Sequence, residues 1–130
     1  MEKYVLLCDD EIDILLPTKH SLKRVGVDII CAVDGQQAWE LISEHPPTVL
    51  VTDWQMPKLN GVELVKRIRG QQEIRHLPVV MITAKHEELL QTAEMNCLQL
   101  AAIIAKPFSP RELSLCVEQI VETGANQPTL

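Results

Sequence analysis

Four places along the chain set a reactive side chain directly behind a short apolar run. Val49-Leu50-Val51-Thr52 leads into Asp53, Tyr4-Val5-Leu6-Leu7-Cys8 into Asp9-Asp10-Glu11, Pro78-Val79-Val80-Met81-Ile82 into Thr83, and Ala101-Ala102-Ile103-Ile104-Ala105 into Lys106. Apolar runs of this length without polar alternation read as strands buried on both faces, and open parallel sheets bind ligands outside the carboxyl ends of such strands. If Asp9, Asp10 and Asp53 share one crevice, three carboxylates repel one another, and a cation is needed to keep them ionised. Oxygen donors only, few in number, suit Mg²⁺ better than a dedicated Ca²⁺ cage. With no Cys or His at ligand spacing, zinc is disfavoured. A hydroxyl from Thr83 and a point charge from Lys106 supply the remaining donors that a transferring phosphoryl group requires, and the Asp53 carboxylate can act as its nucleophile, forming an acyl phosphate. Taken singly, Thr83 is an ordinary strand-end hydroxyl and Lys106 an ordinary surface lysine. Joint placement makes them functional.

The elements that must position these groups alternate along the chain. After the strand Tyr4–Cys8, apolar residues at helical spacing run from Ile12 to Val25 and stop at Gly26, with Pro17 predicting a kink or a late start. Val27–Val33 reads as a strand. Asp34 then caps a helix from about Gln36 to Glu44, with Gln37 placed to complete a capping box. Asn60 caps the helix after Asp53, with Glu63 at the box position and Gly70 at its end. Glu87 to Met95 is predicted helical, and Ser109-Pro110-Arg111-Glu112 opens a last helix ending near Glu122. Five strands alternating with five helices predict an α/β fold, one doubly wound parallel sheet with right-handed crossovers. The strand order 2-1-3-4-5 sets the first and third strands side by side and joins Asp9, Asp10 and Asp53 in one crevice.

Composition bounds the partners. The 130 residues suffice for one domain, 46% are apolar and 23% charged, and the net charge of −6 argues against a nucleic-acid-binding surface. Cys8, Cys31, Cys97 and Cys116 are widely spaced and read as reduced core residues, which fits a cytoplasmic protein. His20, His45, His76 and His86 stand in polar contexts that predict surface positions. No run approaches the about 18 apolar residues of a membrane span, and Met1-Glu2-Lys3 leads into a strand rather than a signal peptide.

The acidic pair Asp9-Asp10, the segment Asp53-x-x-Met56-Pro57-x-x-x-Gly61, the run Pro78 to Ala84 and Lys106-Pro107-Phe108 together resemble a two-component response-regulator receiver domain, CheY-like in fold, from Tyr4 to about Val121. The resemblance implies that Asp53 is the phosphoacceptor, charged from a sensor histidine kinase or a histidine phosphotransfer protein. It implies further that Asp10, Asp53 and the backbone carbonyl of Gln55 bind Mg²⁺, with Asp9 acting through water. Lys106 would contact the phosphoryl oxygens, Thr83 would be the switch hydroxyl, and the Lys106–Pro107 bond would be cis. The partners it implies are the phosphodonor, a downstream effector protein or domain and a phosphorylation-dependent homodimer, with no nucleic acid and no membrane. Residues 1–123 would form the receiver domain and residues 124–130 a tail or linker stub.

The chain departs from the family pattern before the lysine. Gln99-Leu100-Ala101-Ala102 replaces the usual small and acidic run, and Ile103 stands where an aromatic normally turns inward. The expectation is that phosphorylation chemistry survives while its readout is altered. The alternative from the binding class is a pseudo-receiver that acts through phosphorylation-independent contacts; the intact acid, hydroxyl and lysine set speaks against it. An aspartyl-phosphate hydrolase of the haloacid-dehalogenase type would need a second acid where Gln55 stands. A Rossmann oxidoreductase would need a G-x-G-x-x-G after the first strand.

Overall fold

A computed structural model describes residues 3–84 and 98–123. Five parallel strands form one sheet: β1 (Tyr4–Cys8), β2 (Asp28–Ala32), β3 (Val49–Asp53), β4 (Val79–Thr83) and β5 (Ala102–Ala105), in the order β2-β1-β3-β4-β5. The helices are α1 (Ile12–Leu22), extended by a 3₁₀ turn over Lys23–Val25, then α2 (Gly35–Glu44), α3 (Gly61–Arg69) and α4 (Pro110–Thr123). The helix expected over Glu87 to Met95 and the tail over residues 124–130 lie outside the described residues, as do Cys97 and His86. Strand order and fold class are those read from the sequence.

Every residue of β1, β3 and β4 is buried, which is why these segments carry no polar alternation. The alternation is instead between two cores. Leu6, Leu50 and Met81 face one side and pack with Ala38, Ile42, Leu64 and Ile68 of α2 and α3. Val5, Leu7, Val51, Val80 and Ile82 face the other and pack with Leu15 and Leu22 of α1 and Leu113 and Val117 of α4. A one-residue slip of any central strand would exchange these sets, so the two cores together hold the register. Val5 pairs with Val49, Leu50 with Val79, and Val80 with Ala102, so β1, β3, β4 and β5 end close to one level.

Local sequence explains most of the element ends. Asn60 Oδ1 accepts from Glu63 N–H at 2.9 Å while Glu63 Oε1 accepts from Asn60 N–H at 3.0 Å, a full capping box at the start of α3. Asp34 Oδ1 likewise accepts from Gln37 N–H at 2.8 Å, but Gln37 Oε1 accepts from Val33 N–H, one residue before the position a capping box requires. The glutamine thus closes the end of β2 instead of the helix cap. Pro17 is accommodated inside α1, which starts at Ile12 without delay. There Thr18 Oγ1 donates to the Ile14 carbonyl at 2.7 Å, beside the site where proline has removed a donor. His20 and His76 are exposed, whereas His45 is half-buried with its ring 5.4 Å from that of Tyr4.

The Asn60 cap stands directly behind the loop that follows Asp53. Replacing Asn60 with Ala should lower the unfolding free energy by about 1 kcal/mol, and Asn60→Asp should retain the cap. Urea titration followed by circular dichroism reads both; an Asn60→Ala midpoint equal to wild type would show that the cap contributes nothing.

Candidate functional site

Backbone ladders carry on one residue past the strand ends and so fix the main chain of the residues that bear the reactive groups. Asp9 N–H donates to the Ala32 carbonyl at 3.1 Å, Trp54 N–H to Ile82 at 3.0 Å and Lys106 N–H to Thr83 at 3.0 Å. The carboxyl ends of β1, β3, β4 and β5 therefore converge on one hollow of about 320 Å³, lined by Asp10, Glu11, Asp53, Gln55, Thr83, Ala84 and Lys106. Asp9, Asp10, Glu11 and Asp53 each bring a carboxylate oxygen to within 4.8 Å of the others. Of the residues singled out in the sequence, Asp10, Asp53, Gln55, Thr83 and Lys106 line this hollow, and Asp9 joins them through its buried carboxylate beside Asp53 and Lys106. Glu11 joins them; its signal was adjacency to the acidic pair.

Lys106 Nζ reaches Asp53 Oδ2 at 3.2 Å, Glu11 Oε1 at 3.5 Å and Asp9 Oδ2 at 3.9 Å. The remaining oxygens are held by backbone: Asp9 Oδ1 accepts from Glu11 N–H at 2.9 Å and Asp53 Oδ1 from Trp54 N–H at 2.9 Å. Asp9, Asp53 and Thr83 are buried, whereas Asp10 and Glu11 are exposed at the rim. The peptide bond between Lys106 and Pro107 is cis.

The electrostatics of this arrangement are unfavourable without a cation. Burial pushes the Asp9 carboxyl from an ordinary 3.8 up to about 6; the Glu11 N–H opposes that shift, while the neighbouring charge of Asp53 adds to it. Burial likewise raises Asp53, against the opposing pull of Lys106 and the Trp54 N–H. Burial alone would lower the Lys106 ammonium, but the attraction of Asp53, Asp9 and Glu11 outweighs it and raises the group. One ammonium thus contacts three carboxylates, with Asp10 a fourth in the same cluster. A hard divalent cation fits a donor set made of oxygens alone in a place where like charges already lift one another's pKa.

A glycine-dependent contact brings α3 this close. At Gly61 a Cβ would lie 3.0 Å from both Met81 Sδ and Trp54 Cα and would overlap the Asp53 carbonyl oxygen, so only glycine lets α3 start against the backbone of Asp53.

The family described as "Response regulator receiver domain" matches residues 5–118, and the chain belongs to that family. Among its relatives, the alkaline phosphatase synthesis transcriptional regulatory protein PhoP of Bacillus subtilis is 37% identical over 123 residues, covering 93% of this chain and 49% of PhoP. A chemotaxis protein CheY homolog of Campylobacter jejuni is 33% identical over 128 residues, covering 95% of both chains. The chain thus spans about half the length of PhoP and nearly all of the CheY homolog. The solved receiver domain of the Francisella response regulator 1452 superposes with a TM-score of 0.79 at 30% identity, covering 93% of this chain and 98% of that one. Receiver domains are phosphorylation-dependent signalling modules of two-component systems; they work with histidine kinases and downstream effectors and use Mg²⁺ at their acidic site. No helix among the described residues is long and apolar enough to cross a membrane.

The pKa shifts fix a sign for stability against pH. Without a divalent ion, Asp9 and Asp53 hold protons more tightly folded than unfolded, so their contribution to stability is largest below the unfolded value near 3.8 and is lost as pH rises through the folded values, about 6 for Asp9 and likewise raised for Asp53. Added Mg²⁺ is therefore expected to raise the melting temperature strongly at pH above 7 and little near pH 5. Scanning fluorimetry in chelator and in Mg²⁺ reads the difference; an equal Mg²⁺ effect at both pH values would contradict it.

Proposed function

We propose that Asp53 is the phosphoacceptor of this receiver domain and that the hollow is where the transfer takes place. The observation that carries this is the convergence on Asp53 of one ammonium, one buried hydroxyl-bearing strand end and three further carboxylates. In the transfer, an Asp53 carboxylate oxygen forms a bond to phosphorus. The bond from phosphorus to the imidazole nitrogen of a histidine kinase or phosphotransfer protein breaks, and that nitrogen keeps the electron pair. Trp54 N–H holds the other carboxylate oxygen and so orients the nucleophile. Lys106, already 3.2 Å from Asp53, is placed to follow charge as it moves onto the phosphoryl oxygens, and Thr83 offers its hydroxyl from the neighbouring strand end. Asp10, Asp53 and the Gln55 carbonyl would hold Mg²⁺, with Asp9 helping through water; when bound, the ion supplies the positive charge that the acids and the incoming phosphoryl group lack.

On this reading the protein is not an enzyme with a turnover substrate of its own. It assists only its own phosphorylation and dephosphorylation, and it signals to an effector. Residues 1–123 constitute the receiver domain and 124–130 a tail or linker stub, and the cytoplasm, where kinase and effector meet, is its compartment. Ile103, half-buried and paired with Met81 across the sheet, is branched at Cβ and stiff about χ1, which supports a readout that differs from one based on a swinging aromatic.

Incubation with acetyl phosphate and Mg²⁺ should add one phosphoryl mass to the intact protein, and Asp53→Asn should add none; labelling that persists in Asp53→Asn would refute the assignment. Lys106→Ala should retain Mg²⁺ binding and lose most of the labelling rate, on the order of a hundredfold for one preorganised charge. Loss of Mg²⁺ binding with labelling intact would make the lysine structural.

A further inference from the structure

The loop from Trp54 to Asn60 is closed on itself. Gly61 N–H donates to the Trp54 carbonyl at 2.7 Å and Leu59 N–H to the Pro57 carbonyl at 2.7 Å. Lys58, at the centre of the second bond, has φ of 68°, a left-handed conformation that costs a lysine energy and persists only where its surroundings hold it. One side of this closed loop presents Gln55 to the acidic hollow. The opposite side abuts the junction of β2 and α2, which contributes no residue to the lining of that hollow.

The contact at the junction is tight. Lys58 Nζ lies 3.5 Å from Asp34 Oδ2. A Cβ on Gly35 would lie 2.7 Å from both the carbonyl carbon and the Cβ of Leu59, and closer still to its carbonyl oxygen, where ordinary contact begins at 3.4 Å. Leu59 is only 5% exposed and sits in the core beneath, so it has little room to retreat. Cys8 ties the same parts from below: its Sγ lies 3.4 Å from the Asp34 carbonyl and 3.2 Å from Met56 Sδ.

We infer that Gly35 is a positioning residue for the acidic site: by letting the first turn of α2 close against Leu59, it sets the Trp54–Asn60 loop, and with it the Gln55 backbone, where a divalent cation is bound. The Asp34–Lys58 ion pair is a secondary tether. The Lys58 side chain is 68% exposed, so the pair is screened and weak, whereas the overlap at Gly35 is with backbone and has to be relieved by moving the loop. This inference rests on the reading of the hollow as a Mg²⁺ site in which Gln55 takes part.

The test is Mg²⁺ binding by isothermal titration calorimetry on the intact chain, with acetyl phosphate labelling as a second readout. Gly35→Ala is expected to weaken Mg²⁺ by about tenfold, the scale of a lost supporting contact around a metal site, and to raise the Mg²⁺ needed for half-maximal labelling while leaving the rate at saturating Mg²⁺ near wild type. Lys58→Met should weaken Mg²⁺ by about two- to threefold, in keeping with a screened ion pair. Lys58→Arg should restore it. Asp34→Asn, which keeps the helix cap, should match Lys58→Met, and the double variant should be no worse than either. A Gly35→Ala protein that melts earlier yet binds Mg²⁺ as wild type does would overturn the inference. Should Gly35→Ala fail to fold, wild-type affinity in Lys58→Met would overturn it equally. If wild type itself binds no Mg²⁺, the reading of the site falls together with the inference; if wild type binds and the variants bind as well, only the inference falls.

Discussion

Mutual repulsion among carboxylates at neighbouring strand ends is the constraint around which this molecule is built. Asp9, Asp10, Glu11 and Asp53 crowd within 4.8 Å, and the Lys106 ammonium, within 4 Å of Asp9, Glu11 and Asp53, balances only part of their charge. Burial raises the Asp9 and Asp53 pKa values, and the neighbouring carboxylates add to the rise, so an ion-free protein loses stability where these acids are ionised. What is costly to the fold at rest leaves a set of oxygen donors that favours a hard divalent cation, the kind of ion receiver domains use at their acidic site.

The sheet makes that crowding unavoidable. Residues from four strands reach the hollow because the strands end near one level, and the register is held by two separate cores that no central strand can exchange without misplacing both. Ladder bonds running past the strand ends then fix the backbones of Asp9, Trp54 and Lys106. Rigid support matters because a nucleophile displaced by an ångström loses much of its advantage. The helices contribute through close approach: α3 begins against the Asp53 backbone at Gly61, and α2 against the loop beyond it at Gly35.

Much of this was legible in the sequence, for reasons that can be named. Strands buried on both faces announce themselves as unbroken apolar runs, so β1, β3 and β4 were readable to within a residue, and a charged or hydroxyl side chain closing such a run stood out as a site residue. The Asn60–Glu63 capping box was readable because both of its bonds are local. Other features were not. Gln37 has the right spacing for a capping box, but spacing does not reveal that the Val33 N–H competes for its side chain. Pro17 sits inside α1 because packing against β1 and α4 outweighs one lost backbone bond, a tertiary effect that local propensity does not carry. The left-handed turn at Lys58 and the overlap behind Gly35 arise between segments distant in sequence, and a lysine gives no hint of a positive φ. His45, placed at the surface by its polar neighbours, is half-buried against Tyr4 for the same reason.

The account is tested most directly by a crystal structure grown with Mg²⁺ and beryllofluoride, an analogue of the aspartyl phosphate. It should show the fluoride group on the Asp53 carboxylate, the metal between Asp53, Asp10 and the Gln55 carbonyl, and Lys106 and Thr83 in contact with the fluorines. Beryllofluoride bound elsewhere, or a Lys106 ammonium turned away from an occupied Asp53, would contradict it.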